Sequence, residues 1–243
     1  VSFVITAYVR EGIVMASDSR LTLNATQTPQ GQGAPVIQLS VGQSDSTNKT
    51  SLALGKFGIS TYGAADVNGV PISGYLESFI SERLAQGTFE VDQVPAELVA
   101  YFTALPTTPA SVFHVAGYKV VNGVQEQHVW QVPLTGGVPS KLNPAGQQGV
   151  SWGGEIDVLS RLLQPLAAQD LQGNWQPLPT HQIPYGFFTL QGAIDFCIYA
   201  VRTTIDTLRF QPRPKTVGGP IDVLVIKPDG AFWVQKKKLH GTG

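Results

Sequence analysis

Four pairs of short apolar segments, each folded about a tight turn, constrain this chain more than any other feature. Residues 3–9 run to Arg10-Glu11-Gly12, which turns, and residues 13–16 run back. Residues 52–54 and 58–62 pair about Gly55-Lys56. Residues 112–121 pair with 127–132 across Asn122-Gly123, a dipeptide that accepts the positive φ angles of a two-residue hairpin turn. Residues 221–226 and 231–234 pair about Pro228-Asp229-Gly230. Between the hairpins the apolar period changes to that of a helix. Ile72, Leu76, Phe79, Ile80 and Leu84 share one face, and a shorter helix opens at Val94-Pro95-Ala96-Glu97. A third helix is expected from Glu155 to about residue 168, kinked or ended by Pro165, and a fourth over 190–208. The order is hairpin, hairpin, helix pair, hairpin, helix pair, hairpin. Hairpins build antiparallel sheets, and a parallel sheet would need single-helix crossovers that are absent from this order. The expected fold is therefore α+β, with two stacked antiparallel sheets covered by helix pairs, over residues 1–243 as one domain.

Composition narrows the class further. Charged residues are only 14% of the 243, the net charge is −1, and no basic block suggests nucleic acid. The run Lys236-Lys237-Lys238 reads as a solvated tail. A single cysteine, Cys197, excludes an intrachain disulfide and falls on the apolar stripe of the fourth helix, as a packed thiol does. No apolar run reaches the length of a membrane span, and the first residues lack the charged and apolar regions of a signal peptide, so a cytoplasmic protein is expected. His114, His128, His181 and His240 show no metal-ligand spacing, and no metal or other cofactor is expected. Residues 23–46 are polar and aperiodic and read as a long surface loop. Gly149-Val150-Ser151-Trp152-Gly153 spells a nucleophile elbow, but that motif needs a buried strand before it, and Asn143-Pro144-Ala145-Gly146 cannot supply one. Ser151 reads instead as a helix cap or a supporting residue.

Several stretches, in order along nearly the whole chain, resemble the proteasome-subunit family of N-terminal-nucleophile (Ntn) hydrolases, including the bacterial homologues HslV and Anbu. They are Glu11-Gly12-Ile13-Val14-Met15-Ala16-Ser17-Asp18-Ser19-Arg20, Asn48-Lys49-Thr50 followed by Gly63-Ala64-Ala65-Asp66, Phe113-His114-Val115-Ala116-Gly117-Tyr118, and Thr216-Val217-Gly218-Gly219-Pro220-Ile221-Asp222-Val223. The resemblance implies a four-layer αββα sandwich and a peptidase or amidase whose first residue supplies both a hydroxyl nucleophile and, through its α-amine, the base. An α-amino group with a pKa of about 8 can take that proton without large tuning. By the same resemblance, Asp18 and Lys49 are the supporting carboxylate and ammonium, and Gly63 offers the oxyanion N–H. Lys49 and Gly63 are 14 residues apart, as the family spacing requires.

The family spacing places the nucleophile at Ser2. In the chain as written Ser2 nitrogen is an amide bonded to Val1, so the expectation is that the working chain begins at Ser2. The resemblance also implies peptide or protein substrates, a homo-oligomeric ring and, in some relatives, an ATPase partner. Two alternatives remain beside the peptidase: a catalytically silent ring subunit that keeps the fold, and a non-proteolytic amide hydrolase on the same scaffold.

Overall fold

The computed structural model of the chain describes residues 2–27, 37–179 and 181–239. Strands β1 (Phe3–Val9) and β2 (Gly12–Ser17) form the first hairpin. A separate two-stranded ribbon follows, β3 (Leu21–Gln27) against β4 (Ile37–Ser44). Next come β5 (Thr50–Ala53) and β6 (Phe57–Gly63), then the short pair β7 (Asp66–Val67) and β8 (Val70–Pro71). Helix α1 (Ile72–Ser78) runs on as a π-helical segment over Phe79–Leu84, and α2 (Val94–Thr103) packs beside it. The third hairpin is β9 (Ser111–Val121) with β10 (Val124–Pro133), followed by β11 (Ser140–Lys141) and β12 (Gly149–Gly154). Helix α3 (Asp157–Leu163), a small ribbon of β13 (Ala167–Gln169) and β14 (Trp175–Pro177), and α4 (Leu190–Phe210) lead to the last hairpin, β15 (Asp222–Lys227) with β16 (Gly230–Gln235).

The fold is mixed α and β, with antiparallel sheets and, among the described residues, four α-helices. Two sheets have five strands each, in the orders β12-β1-β2-β15-β16 and β11-β10-β9-β6-β5. Alternation along the strands decides what each face meets. Phe3, Ile5, Ala7 and Val9 of β1 join Ala193, Cys197, Val201 and Leu208 of α4 in one apolar cluster. The opposite face offers Tyr8, Ile13, Met15, Leu224 and Ile226, which pack with Ala116 and Val129 of the second sheet. The other side of that second sheet puts Phe113, Val115 and Val132 against Leu76, Phe79, Leu98 and Phe102. Because β1 is covered on both faces, its sequence is an unbroken buried run rather than an alternating one. Cys197 lies inside the α4 cluster, where burial pushes its thiol up to about 12, in keeping with a packed side chain.

Four local expectations need correction. The polar stretch 23–46 is not an unpaired loop at its ends, because β3 and β4 hydrogen-bond to each other from Leu21↔Ser44 to Gln27↔Ile37. Helix α3 stops at Leu163, so the range to about residue 168 is too long, while the ending expected at Pro165 is the one that occurs. Gln164 is already extended at φ −93° and ψ 153°, the conformation that a following proline imposes. Ser151 caps no helix: it lies inside β12, paired with Thr6 of β1. Lys237 is not solvated but buried against Asp222, with side-chain exposures of 3% and 0%. His240 and Val1 fall outside the described residues.

Between the sheets lies a titratable group that has no counter-ion among the described residues. His114 of β9 is fully buried, bonds Thr6 Oγ1 through Nδ1 at 3.0 Å, and meets the ring of Tyr62 edge-on. Among the described residues its Nε2 has no hydrogen-bond partner. Burial holds the imidazole neutral down to about 4, against 6.5 when free. Between those values the unfolded chain binds the extra proton, so stability is lost as pH falls from 6.5 towards 4, by at most about 3 kcal/mol. Urea titrations at pH 7 and pH 4.5 should show His114→Gln losing less stability on acidification than the parent. Equal losses would mean that His114 is not held neutral.

Candidate active site

The residue after β2 organises one end of the sheets. Asp18 is fully buried, and its carboxylate accepts hydrogen bonds from four parts of the chain. Oδ1 receives the Phe3 N–H at 2.9 Å and the Lys49 ammonium at 2.7 Å. Oδ2 receives the N–H groups of Arg20 at 3.1 Å and Gly218 at 3.0 Å. Lys49 immediately precedes β5, its side chain is only 4% exposed, and its carbonyl accepts the Thr61 N–H at 2.9 Å. Burial holds the Lys49 ammonium below the ordinary lysine value. Asp18 opposes that shift through charge and hydrogen bonding, whereas Lys237 and Arg20 add to it. Beside the pair, Thr50 Oγ1 bonds both Ser17 Oγ and Ser60 Oγ at 2.9 Å, so hydroxyls stitch β2 to the second sheet.

Ser2 is half-buried and one peptide bond away from the Phe3 N–H that Asp18 holds. Its carbonyl accepts the Glu155 N–H at 2.8 Å. Gly154 makes this seat possible. Its φ is +93°, and a Cβ there would stand 1.7 Å from Ser2 O, so any side chain would displace Ser2. The Glu155 carboxylate is itself fixed by Arg213 Nη1 and Thr216 Oγ1, each at 2.9 Å. Gly63 ends β6 two residues after Thr61, the residue bonded to Lys49, and is exposed. A Cβ at Gly63, where φ is +112°, would meet Ala110 O at 2.4 Å.

The structure therefore brings Asp18 and Lys49 into direct contact, ties Ser2 to them through the backbone, and joins Gly63 to Lys49 through the β5–β6 ladder. Sequence reasoning missed Gly154, Glu155, and the buried Asp222–Lys237 pair, in which the Lys237 N–H also donates to Asp222 Oδ1 at 2.8 Å. A signal for that pair was present: Asp222 opens the otherwise apolar Asp222-Val223-Leu224-Val225-Ile226, and a buried carboxylate demands a cation. Asn48 and Thr50, on either side of Lys49, line a cavity of about 370 Å³ with Trp233 and Lys236. A larger cleft, about 720 Å³, involves Arg10 and Glu11 at the opposite end of the β1–β2 hairpin and is remote from this chemistry. Among the described residues no group of three or more His, Cys, Asp or Glu side chains is placed to hold a metal ion, and no helix is long and apolar enough to cross a membrane. No protein-family model matches the chain, and no curated protein matches its sequence.

The arrangement puts the backbone N–H that follows Ser2 and a buried ammonium on the same carboxylate oxygen, Asp18 Oδ1. It also makes a stability asymmetry. Asp18→Ala strands the Lys49 charge and three backbone N–H groups, and should cost on the order of 4 kcal/mol. Lys49→Met leaves Asp18 three backbone donors and replaces the ammonium stem by an apolar one of similar length, so its cost should be clearly smaller. Chemical denaturation of both variants measures this. Equal costs would contradict the assignment of Asp18 as the hub.

Proposed function

We propose that this chain is a cytoplasmic hydrolase subunit of the proteasome-like Ntn type. In this reading its two five-stranded sheets and their helices form the four-layer αββα sandwich of that family, and it cleaves peptide or amide bonds within a homo-oligomeric ring. The buried 2.7 Å Lys49–Asp18 pair carries the reading, because the Asp18 oxygen that accepts from Lys49 also accepts from the N–H next to Ser2. Position, charge and backbone at the chain's start are thus coupled through one atom.

In a chain that begins at Ser2, the α-amine takes the proton of Ser2 Oγ as the oxygen attacks the substrate carbonyl. The Lys49 ammonium stabilises the developing alkoxide, and it does so more strongly here than in water because it is buried. The Gly63 N–H polarises the carbonyl oxygen in the tetrahedral intermediate. The amine then protonates the leaving nitrogen, an acyl ester remains on Ser2, and water, deprotonated by the same amine, releases it. A silent ring subunit is the second reading. It is favoured by the three backbone donors on Asp18, which make that residue a structural hub whether or not Ser2 reacts.

Protein released with Ser2 as its first residue should hydrolyse members of a broad fluorogenic peptide panel, with Lys49→Ala reducing the rate on the order of 100-fold. Hydrolysis that is indifferent to Lys49→Ala would discard the mechanism, and a folded but inert Ser2-first chain would favour the silent subunit. Native mass measurement should give an assembly larger than a dimer. A monomer at working concentration would remove the ring.

A further inference from the structure

The Asp222–Lys237 pair lies close behind the candidate site. Asp222 stands opposite Ser17 in the β15–β2 ladder, one residue from Asp18. Ser17 Oγ is bonded to Thr50, the neighbour of Lys49. The side chain of Asp222 shares the strand face of Leu224 and Ile226, which point to the second sheet. Lys237 reaches it from just beyond β16, and the residues flanking both lysines, Asn48 and Thr50 on one side and Lys236 on the other, line one cavity. Two buried ammonium groups are thus held near each other, each by its own carboxylate.

We propose that Lys237 is a positioning residue for the candidate site: it acts through Lys49, holding positive charge behind it, and Asp222 is the anchor that keeps that charge in place. The inference rests on the Ntn reading only in taking Lys49 as a working group of the site. Bringing two like charges together inside a protein costs free energy unless each is paired, as both lysines are here. The charged groups that act on Lys49 are Asp18 after β2, which touches it, and, through their charge, Lys237 after β16, Arg20 before β3 and Asp45 after β4. Arg20 and Asp45 form their own bidentate pair at 2.6 and 2.7 Å, whereas Lys237 is paired with Asp222 of β15, the strand next to β16 in the same sheet.

The test is the titration of the Lys49 ammonium in the full chain, followed by NMR of isotope-labelled lysine side chains and assigned with Lys49→Arg. Lys237→Met should move the Lys49 midpoint up, because a like charge is gone and Asp222 is left unbalanced. Asp222→Asn should move it down, because Lys237 is left uncompensated. Lys237→Arg, which keeps the charge, should leave the midpoint near that of the parent and serves if Lys237→Met does not fold. Packing damage would move both charge-altering variants in one direction, and that result, or no movement in either, would overturn the proposal. The readout needs no turnover. Opposite shifts in a protein that cleaves no peptide would keep the charge arrangement and discard the hydrolase reading, whereas cleavage with unmoved midpoints would do the reverse.

Discussion

The Asp18 carboxylate is the contact on which the rest of this end of the molecule depends. A carboxylate with no exposure to water is tolerated only when its lone pairs are filled and its charge is balanced. Here the filling comes from Phe3 at the start of β1, Arg20 before β3, Gly218 before β15 and Lys49 before β5. Each donor fixes the position of a different strand end. Asp18 therefore joins the two sheets at a place where apolar packing between them gives way to polar contacts. The ion pair is worth less as net stability than as a constraint on geometry, since the attraction largely offsets the desolvation of both charges.

That constraint explains the chemistry of the neighbourhood. Farther along the interface the sheets meet through Met15, Leu224, Ile226 and Ala116, whereas near Asp18 they meet through Ser17, Thr50 and Ser60. The polar band has a second ion pair behind it and Ser2 at its edge, seated on Gly154 and under the Glu155 N–H. A low-dielectric pocket of fixed dipoles and charges is what makes an ammonium effective on a developing negative charge. The same burial pulls the Lys49 proton affinity down, so the site combines positive potential with a cation that is less firmly protonated than a surface lysine.

Most of the strand pairing could be read from the sequence because its signals are local. Asn122 and Gly123 have the positive φ values of 51° and 80° that their hairpin turn needs, and the stripe through Ile194, Cys197 and Val201 is the buried face of α4. Asp18 and Lys49 were legible only through the family resemblance, since their contact spans 31 residues and the two-stranded ribbon between them. What escaped was what depends mainly on three-dimensional proximity. Lys237 looks like its neighbours Lys236 and Lys238 in sequence, yet it is the one that folds back on Asp222. Gly154 is one glycine of 26, and only the approach of Ser2 O shows why it has no side chain. Ser151 misled only as a helix cap, because its glycine-flanked segment belongs here to an edge strand.

The central claim is that the Asp18–Lys49 pair makes Ser2 a nucleophile. The most direct measurement is peptide mapping by tandem mass spectrometry after treating the Ser2-first protein with an electrophile that forms a stable bond to an N-terminal hydroxyl residue. A single adduct on Ser2, formed at a rate that Lys49→Ala greatly reduces while Ser151→Ala does not, is the predicted result. An adduct confined to another residue, or modification of Ser2 that proceeds equally fast without Lys49, would contradict the account.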